Sequence, residues 1–140
     1  MKLKTEFNFD AAHRLVGYAG QCSNLHGHIW RVVIDIEGDK SRLDCNGILW
    51  DFTNVKLLKD LFDHKTILKD CPENAKLIAA CRDILLQNEE EECLYLMKEN
   101  PTAEHLVTEI LSHLKTSNPN LKYKVKVYES ERSYAEDESE

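Results

Sequence analysis

The feature of this sequence that most restricts its fold is the alternation of apolar and polar side chains at both ends of the chain. The pattern runs through residues 3–14, again through 25–37, and once more through 122–131. Period-two alternation is typical of a half-buried β-strand, because successive side chains point to opposite faces of a sheet. The sequence therefore predicts three long strands, two at the start of the chain and one near its end.

The chain between these strands carries helical spacing. Thr53 is a suitable N-cap for a first helix, a second pattern follows Pro72, and Pro101-Thr102 open a third. CLYLM at 93–97 is expected to form a short strand, and Glu89–Glu92 a solvated turn. The residues expected to face inward are Leu57, Leu58, Leu61 and Phe62; Leu77, Ile78, Cys81, Ile84 and Leu85; and Leu106, Val107, Ile110, Leu111 and Leu114. Strands at both ends with helices between them predict an α+β domain with a mainly antiparallel sheet.

Length and charge narrow the function. The 140 residues fit one domain, and the net charge of −7 disfavours a nucleic-acid binder, which needs surplus Lys and Arg. The start MKLKTEFNFD lacks the apolar core of a signal peptide, and no apolar run approaches a membrane span. Five cysteines without a CxxC suggest free thiols in a reducing cytoplasm. The acidic tail, residues 133–140, is expected to be disordered.

Histidines mark the polar ends of the apolar strand faces. His26 and His28 lie two apart, so their rings share one face with Cα atoms roughly 6–7 Å apart, a suitable bite for one Zn²⁺. His13 ends the inward face of the first strand, and Glu129 ends that of the last. Three imidazoles around one ion leave a fourth position open, which is the catalytic arrangement for zinc.

Two simpler interpretations remain open for this cluster. HGH at 26–28 is compatible with a chance pair on a half-exposed strand. Alternatively, Cys22 in CSNLHGH is the fourth ligand of a closed Cys-His₃ structural zinc site.

Cys22 and an Asp-His pair are the candidates for proton transfer. Cys22 lies in a glycine-containing loop beside the expected cation, which favours its thiolate as a base. Asp63 directly precedes His64 at the end of the first helix, and a carboxylate-oriented imidazole can move protons. The simpler interpretation of His64 is a side chain that complements the helix dipole. His105 and His113 are assigned no role.

The motifs FDAAHRL, CSNLHGH, FDHKTIL, PTAEHL and YKVKVYES resemble, in this order, those of the 6-pyruvoyl-tetrahydropterin synthase and 6-carboxytetrahydropterin synthase family. The resemblance covers residues 1–132 as one domain, with an insertion at about 70–98. It implies the tunnelling fold, an antiparallel sheet with helices packed on one face. It also implies sheets that join into an oligomeric barrel, typically a hexamer of two trimers, with active sites between subunits.

The resemblance assigns roles to nine residues. It implies Zn²⁺ held by His13, His26 and His28, with Cys22 as the base and Asp63 and His64 as a proton relay. It further implies that Glu129 anchors the pterin ring and that Thr102 and Glu104 contact a pterin, reaching into a neighbouring subunit. The substrate implied is 7,8-dihydroneopterin triphosphate, with no nucleic-acid or membrane partner. Arg14 and the lysines at 122, 124 and 126 are candidates for holding the triphosphate.

The spacing of Cys22 favours one branch of the family. Three residues separate Cys22 from HGH, as in the bacterial carboxy-forming type, whereas the animal pyruvoyl-forming type has a longer loop. The expected products are 6-carboxy-5,6,7,8-tetrahydropterin, acetaldehyde and triphosphate, on the route to queuosine. Leu68 departs from the usual motif, which has Asn there. The alternatives are a pyruvoyl-forming or aldolase-type enzyme of this fold and, in another class, a non-catalytic zinc-stabilised oligomeric binding module.

Overall fold

A computed structural model describes residues 1–85 and 92–140 of the chain. The strands are β1 (Lys2–His13), β2 (His26–Glu37), β3 (Lys65–Lys69), β4 (Leu94–Met97), β5 (Lys122–Tyr128) and β6 (Tyr134–Glu138). The helices are α1 (Asn54–Phe62), α2 (Ala75–Leu85) and α3 (Ala103–Ser117), with short 3₁₀ turns at Gln21–Ser23, Lys40–Arg42 and Pro72–Asn74. The sheet order is β4-β3-β1-β2-β5-β6.

The central strands pair as the alternation predicts. β1 and β2 run antiparallel along their whole length, from Lys2 opposite Glu37 to His13 opposite His26. β5 pairs antiparallel with the other side of β2. Because side chains alternate between faces, this register places His13 and His26 side by side at one end of the buried face.

The main core lies between one face of this sheet and the helices α1 and α3, which confirms the α+β class. Trp30, Val32, Ile34 and Ile36 of β2 are each 0% exposed, and Phe9 is 1% exposed. The predicted inward face of α3 is buried in full, at Leu106, Val107, Ile110, Leu111 and Leu114. Thr102 caps α3 by accepting a hydrogen bond from the His105 amide (3.2 Å).

Two helices are buried less than their spacing predicts. Leu58 and Phe62 of α1 are buried, but Leu57 is 67% exposed. In α2, Ile78 and Cys81 are buried, whereas Ile84 is 66% exposed. The buried pairs are spaced i, i+4 in α1 and i, i+3 in α2, so each helix buries one narrow stripe. The turn expected at Glu89–Glu92 falls mostly outside the described residues, as does the side chain of Leu85.

The sheet is mixed, because two strands pair in parallel. β3 follows directly after His64 and pairs in parallel with β1, and β4 pairs in parallel with β3. CLYLM therefore forms a strand, as predicted, but β3 was not predicted. On β3, Ile67 joins the main core while its neighbour Leu68 joins a second cluster with Ile78 and Cys81 of α2. α2 thus covers the opposite face of these two strands.

The expectation of a disordered acidic tail is wrong for Tyr134–Glu138, which form β6. This strand pairs antiparallel with β5, and Glu136 forms an ion pair with Lys124. Tyr134 packs on Tyr128 and lies under the Lys126 ammonium, 5.3 Å from its ring centroid. Pairing with the lysines of β5 offsets the repulsion among the acidic side chains of the tail.

In the described parts of the chain, no helix has the length and apolar character needed to cross a membrane.

Candidate active site

Three histidines and one glutamate converge at the end of the buried sheet face. The ligand atoms of His13, His26, His28 and Glu129 all lie within 4.8 Å of one another. The β1–β2 register brings His13 and His26 together, the alternation of β2 adds His28, and Glu129 directly follows β5. These four were the residues that the ends of the apolar faces pointed to.

Backbone carbonyls orient two of the rings. His13 Nδ1 donates a hydrogen bond to the Pro101 carbonyl (2.7 Å), and His26 Nδ1 donates to the Asn24 carbonyl (2.7 Å). Because a carbonyl only accepts, each Nδ1 carries the hydrogen, and in the neutral ring Nε2 presents a lone pair. This outer hydrogen bond is the usual device that fixes a metal-binding histidine.

The two bare nitrogens face each other. His13 Nε2 and His26 Nε2 lie 3.1 Å apart, and two lone pairs at that distance repel unless a cation lies between them. Two nitrogens about 2.0–2.1 Å from a tetrahedral ion would be about 3.3–3.4 Å apart. The separation is therefore close to what one zinc-sized ion needs.

The third ring adds an unsatisfied nitrogen. His28 Nε2 is buried and has no hydrogen-bond partner among the described residues, although Glu129 Oε1 lies 3.2 Å away. A buried imidazole nitrogen without a partner is costly, and a metal ion would satisfy it. The donor set of three imidazoles and one carboxylate suits a divalent ion such as Zn²⁺.

An apolar wall surrounds the cluster. Trp30, fully buried, packs edge-on against the rings of His13 (5.0 Å between centroids) and His28 (5.3 Å). Desolvation by burial lowers the pKa of His13, against the raising effect of its hydrogen bond to Pro101. Burial likewise lowers the pKa of His28, partly opposed by the nearby Glu129 carboxylate. Both shifts keep the rings neutral, the form that binds metal.

Asp63 and His64 form a second group, which is bonded to the backbone of β1 at Asp10. The Asp63 carboxylate accepts hydrogen bonds from the Asp10 amide (2.9 Å) and from His64 Nδ1 (3.0 Å). Desolvation acts to raise the pKa of Asp63, but these two bonds outweigh it and the pKa is lowered. The side chain of His64 is 78% exposed. Residues of a shallow depression on the sheet surface include both His28 and His64.

His64 has an unusual backbone conformation. Its φ is 60°, in the left-handed region of backbone conformation that residues other than glycine rarely adopt. Its amide donates to the Asp10 carbonyl (2.7 Å), which ties the chain to β1 as it leaves α1. His64 is the residue directly after the C-cap of α1 and forms the corner between α1 and β3.

The remaining predicted residues lie apart from the cluster. Cys22 sits in the 3₁₀ turn of the loop joining β1 to β2, and its sulfur does not belong to the histidine group. The fourth group of that cluster is Glu129. Thr102 serves as the cap of α3, and Glu104 is exposed in its first turn. One chain thus joins the three histidines with Glu129, and Asp63 with His64, while Glu104 is not part of either group.

Two positioning contacts were missed from the sequence. The Pro101 and Asn24 carbonyls orient His13 and His26, and Pro101 lies 88 residues from His13 along the chain. Backbone acceptors carry no signature in residue type. The one usable hint is that Pro101 stands just before the N-cap of α3, so its carbonyl lies near the start of that helix.

Known proteins share this arrangement of elements. The described fold resembles an uncharacterized protein from Wolinella succinogenes (TM-score 0.74, 22% identity, 100% of this chain and 98% of that one). It also resembles a catalytic-residue mutant of Plasmodium vivax 6-pyruvoyltetrahydropterin synthase (TM-score 0.67, 18% identity, 99% and 97%). At these identities the likeness concerns the fold.

Sequence comparison reaches further. The 6-carboxy-5,6,7,8-tetrahydropterin synthase of Rickettsia typhi is 32% identical over 146 aligned positions, covering 97% of this chain and 99% of that protein. The enzyme of the same name from Haemophilus influenzae is 29% identical, covering 96% of each. The model of the 6-pyruvoyl tetrahydropterin synthase family matches residues 2–140. With a family match over nearly its whole length, this chain belongs to the 6-pyruvoyl tetrahydropterin synthase family.

Proposed function

We propose that this chain is a 6-carboxy-5,6,7,8-tetrahydropterin synthase. It would convert 7,8-dihydroneopterin triphosphate and one water into 6-carboxy-5,6,7,8-tetrahydropterin, acetaldehyde and triphosphate, on the route to queuosine. The observation that carries the proposal is the convergence of three imidazole nitrogens beside Glu129. Its support from relatives is that full-length matches from Rickettsia typhi and Haemophilus influenzae bear this name.

Zn²⁺ is the metal proposed, with His13, His26 and His28 as its ligands. The bare nitrogens of His13 and His26 and the unsatisfied nitrogen of His28 support this assignment. When bound, the ion supplies Lewis acidity toward hydroxyl oxygens of the substrate side chain.

Glu129 anchors the pterin ring in this proposal. Its carboxylate would accept hydrogen bonds from the ring N–H and amino groups, which are pure donors at that edge. Because Glu129 Oε1 lies 3.2 Å from His28 Nε2, a ring held there has its side chain beside the histidine cluster. Fixing the ring orients the reacting carbons toward the basic groups of the site.

Cys22 acts as the base in this proposal. It lies on the loop that joins the two histidine-bearing strands, between His13 and His26 in the chain. As a thiolate it would accept a proton from a side-chain carbon of the substrate. Asp63 would orient His64, whose Nδ1 is engaged by the carboxylate, leaving Nε2 to move protons in later steps.

The complete site is proposed to form between subunits. Glu104 lies outside the histidine cluster, and its exposed side chain is free to contact a pterin bound to a neighbouring chain. The described sheet ends at β4 and β6, and strand edges of this kind pair with other chains. We propose sheets joined into a barrel, as a hexamer of two trimers in the cytoplasm, where a reducing environment keeps Cys22 a thiol.

Product analysis tests the proposal directly. The zinc-loaded protein is incubated with 7,8-dihydroneopterin triphosphate, and the pterin is identified by mass while acetaldehyde is trapped as a hydrazone. Equal amounts of 6-carboxytetrahydropterin and acetaldehyde are expected. A pterin that keeps all three side-chain carbons would indicate the pyruvoyl-forming activity instead, and recovered substrate would contradict a synthase.

A Cys22→Ala variant separates an enzyme from a zinc-stabilised binding module. The enzyme reading predicts unchanged zinc content and unchanged folding, with turnover reduced by about 10²–10⁴-fold through loss of the base. Loss of zinc or of the folded state would identify Cys22 as a structural ligand.

A further inference from the structure

Arg14 makes two hydrogen bonds that do not face solvent. It directly follows the ligand His13 at the end of β1, and its side chain is half-buried. Its Nε donates to the Ser23 carbonyl (3.0 Å), and one terminal nitrogen donates to Asn74 Oδ1 (3.0 Å). The planar guanidinium therefore bridges the loop that carries Cys22 and the segment after β3.

Asn74 is a rigid support for Arg14. Its side chain is 0% exposed, and among the described residues His13 is the other buried polar side chain. Asn74 Nδ2 donates to the Lys69 carbonyl at the end of β3 (2.8 Å), while Oδ1 accepts from Arg14. A buried amide with both ends engaged has one orientation, so it holds its partner in place.

The Arg14 contact falls next to Cys22. The carbonyl that receives Nε belongs to Ser23, and the Cys22 carbonyl itself accepts from the Leu15 amide (2.9 Å). Two hydrogen bonds therefore hold the turn that carries the thiol against Arg14 and Leu15, the residues that follow His13. Small displacements of a reacting group lower rates steeply, so this fastening bears on the rate.

We infer that Arg14, held by the buried Asn74, is a positioning residue that fixes the turn carrying Cys22. The inference rests on the proposed role of Cys22 as the base. It also assigns a function to the segment after β3, because Asn74 lies within the region expected to be an insertion at 70–98. Arg14 then serves the loop rather than the substrate triphosphate, because its Nε and one terminal nitrogen already have acceptors in the protein.

Arg14→Lys and Asn74→Ala test the inference together. Lysine keeps the charge but cannot reach both acceptors. Each variant is expected to lose about tenfold to a hundredfold in kcat, with KM and zinc content unchanged. The double variant should be no slower than Arg14→Lys alone, since both changes break one linkage. Arg42→Lys and Asn46→Ala, at exposed positions, are the matched controls.

Alkylation of Cys22 provides a readout that does not depend on turnover. Iodoacetamide labelling at fixed pH, resolved by peptide mass, is expected to run at least about threefold faster at Cys22 in both variants, because the turn is released. Labelling of Cys45, an exposed thiol in another loop, should not change. This arm remains informative even if wild-type protein does not turn over the pterin, so the two proposals fail separately.

Three results would overturn the inference. One is a raised KM with unchanged kcat in Arg14→Lys, which would make Arg14 a phosphate-binding residue. Another is additive losses in the double variant. The third is unchanged Cys22 labelling. If Asn74→Ala does not fold, Asn74→Asp replaces it: the carboxylate still accepts from Arg14 but no longer donates to the Lys69 carbonyl, so kcat should fall by less than in Arg14→Lys. A loss equal to that of Arg14→Lys would count against the linkage.

Discussion

The histidine cluster and the Asp63–His64 pair lie at the same end of β1, yet they are built differently. Trp30 packs against two rings of the cluster, backbone carbonyls orient His13 and His26, and His13 is 1% exposed. His64, in contrast, is 78% exposed and held by one carboxylate. The first is a group of side chains within a single chain that could hold a metal ion. The second, proposed above as a proton relay, is open to solvent in one chain.

This difference fits the chemistry proposed for each region. A metal site needs fixed donors and neutral imidazoles, both of which burial and outer hydrogen bonds supply. A proton relay must exchange protons with water between turnovers, which exposure permits. We therefore expect changes in the cluster to abolish metal binding and changes in the pair to affect rate alone.

His13→Ala should have the largest effect. Removing a first ligand and leaving its two partners is expected to lower zinc affinity by at least about 100-fold and to abolish turnover. Zinc per chain after dialysis, measured by atomic emission, checks this. His64→Ala is the matched control and should retain about one zinc per chain. Equal zinc loss in both variants would erase the distinction between the two regions.

His64→Ala should lower kcat by about 10–100-fold without changing zinc content. The reason is that the relay loses its imidazole while Asp63 and the metal site stay intact. Added imidazole should restore part of the rate, and stopped assays across imidazole concentrations measure it. An unimpaired His64→Ala enzyme would return His64 to a purely structural corner.

The two regions should also respond to acid in separate ranges. Burial lowers the folded-state pKa of His13 and His28 below 6.5, so the metal-free protein is fully stabilised above that pH and loses stability as pH falls through the lowered values. The lowered pKa of Asp63 contributes stability above about 3.8 that is lost only at more acidic pH. Urea unfolding of apoprotein between pH 7 and 3 measures both. In His28→Gln the loss of stability at the higher pH, which the two histidines cause, should be smaller. An unchanged loss there would contradict the role given to His28.

The smallest effect expected is on stability at His64. Its φ of 60° strains any residue with a Cβ, so His64→Gly should be more stable than His64→Ala by about 1 kcal/mol. Chemical denaturation of the two variants gives the difference. Greater stability of the alanine variant would show that the backbone relaxes at this corner.

Much of this site was predictable from the alternation of the strands. The parity of β1, β2 and β5 placed His13, His26, His28 and Glu129 at the ends of buried faces, and the structure brings these four together. The placement of His13 opposite His26 also requires the observed pairing register, which depends on the loop between β1 and β2.

The features that were not predicted depend on contacts that residue type does not encode. β3 was hidden because KTILK is too short to show alternation and follows a helix directly. The left-handed corner at His64 and the Pro101 carbonyl that orients His13 arise from distant packing. β6 was missed because its acidic composition signals disorder unless the facing lysines of β5 are considered.

X-ray absorption spectroscopy of the zinc-loaded protein tests the central claim most directly. If three imidazoles of one chain hold the ion and Cys22 stays outside its coordination sphere, the spectrum should show nitrogen and oxygen ligands at about 2.0–2.1 Å only, with multiple scattering from about three rings. A sulfur shell at about 2.3 Å, lost in Cys22→Ala, would contradict the account.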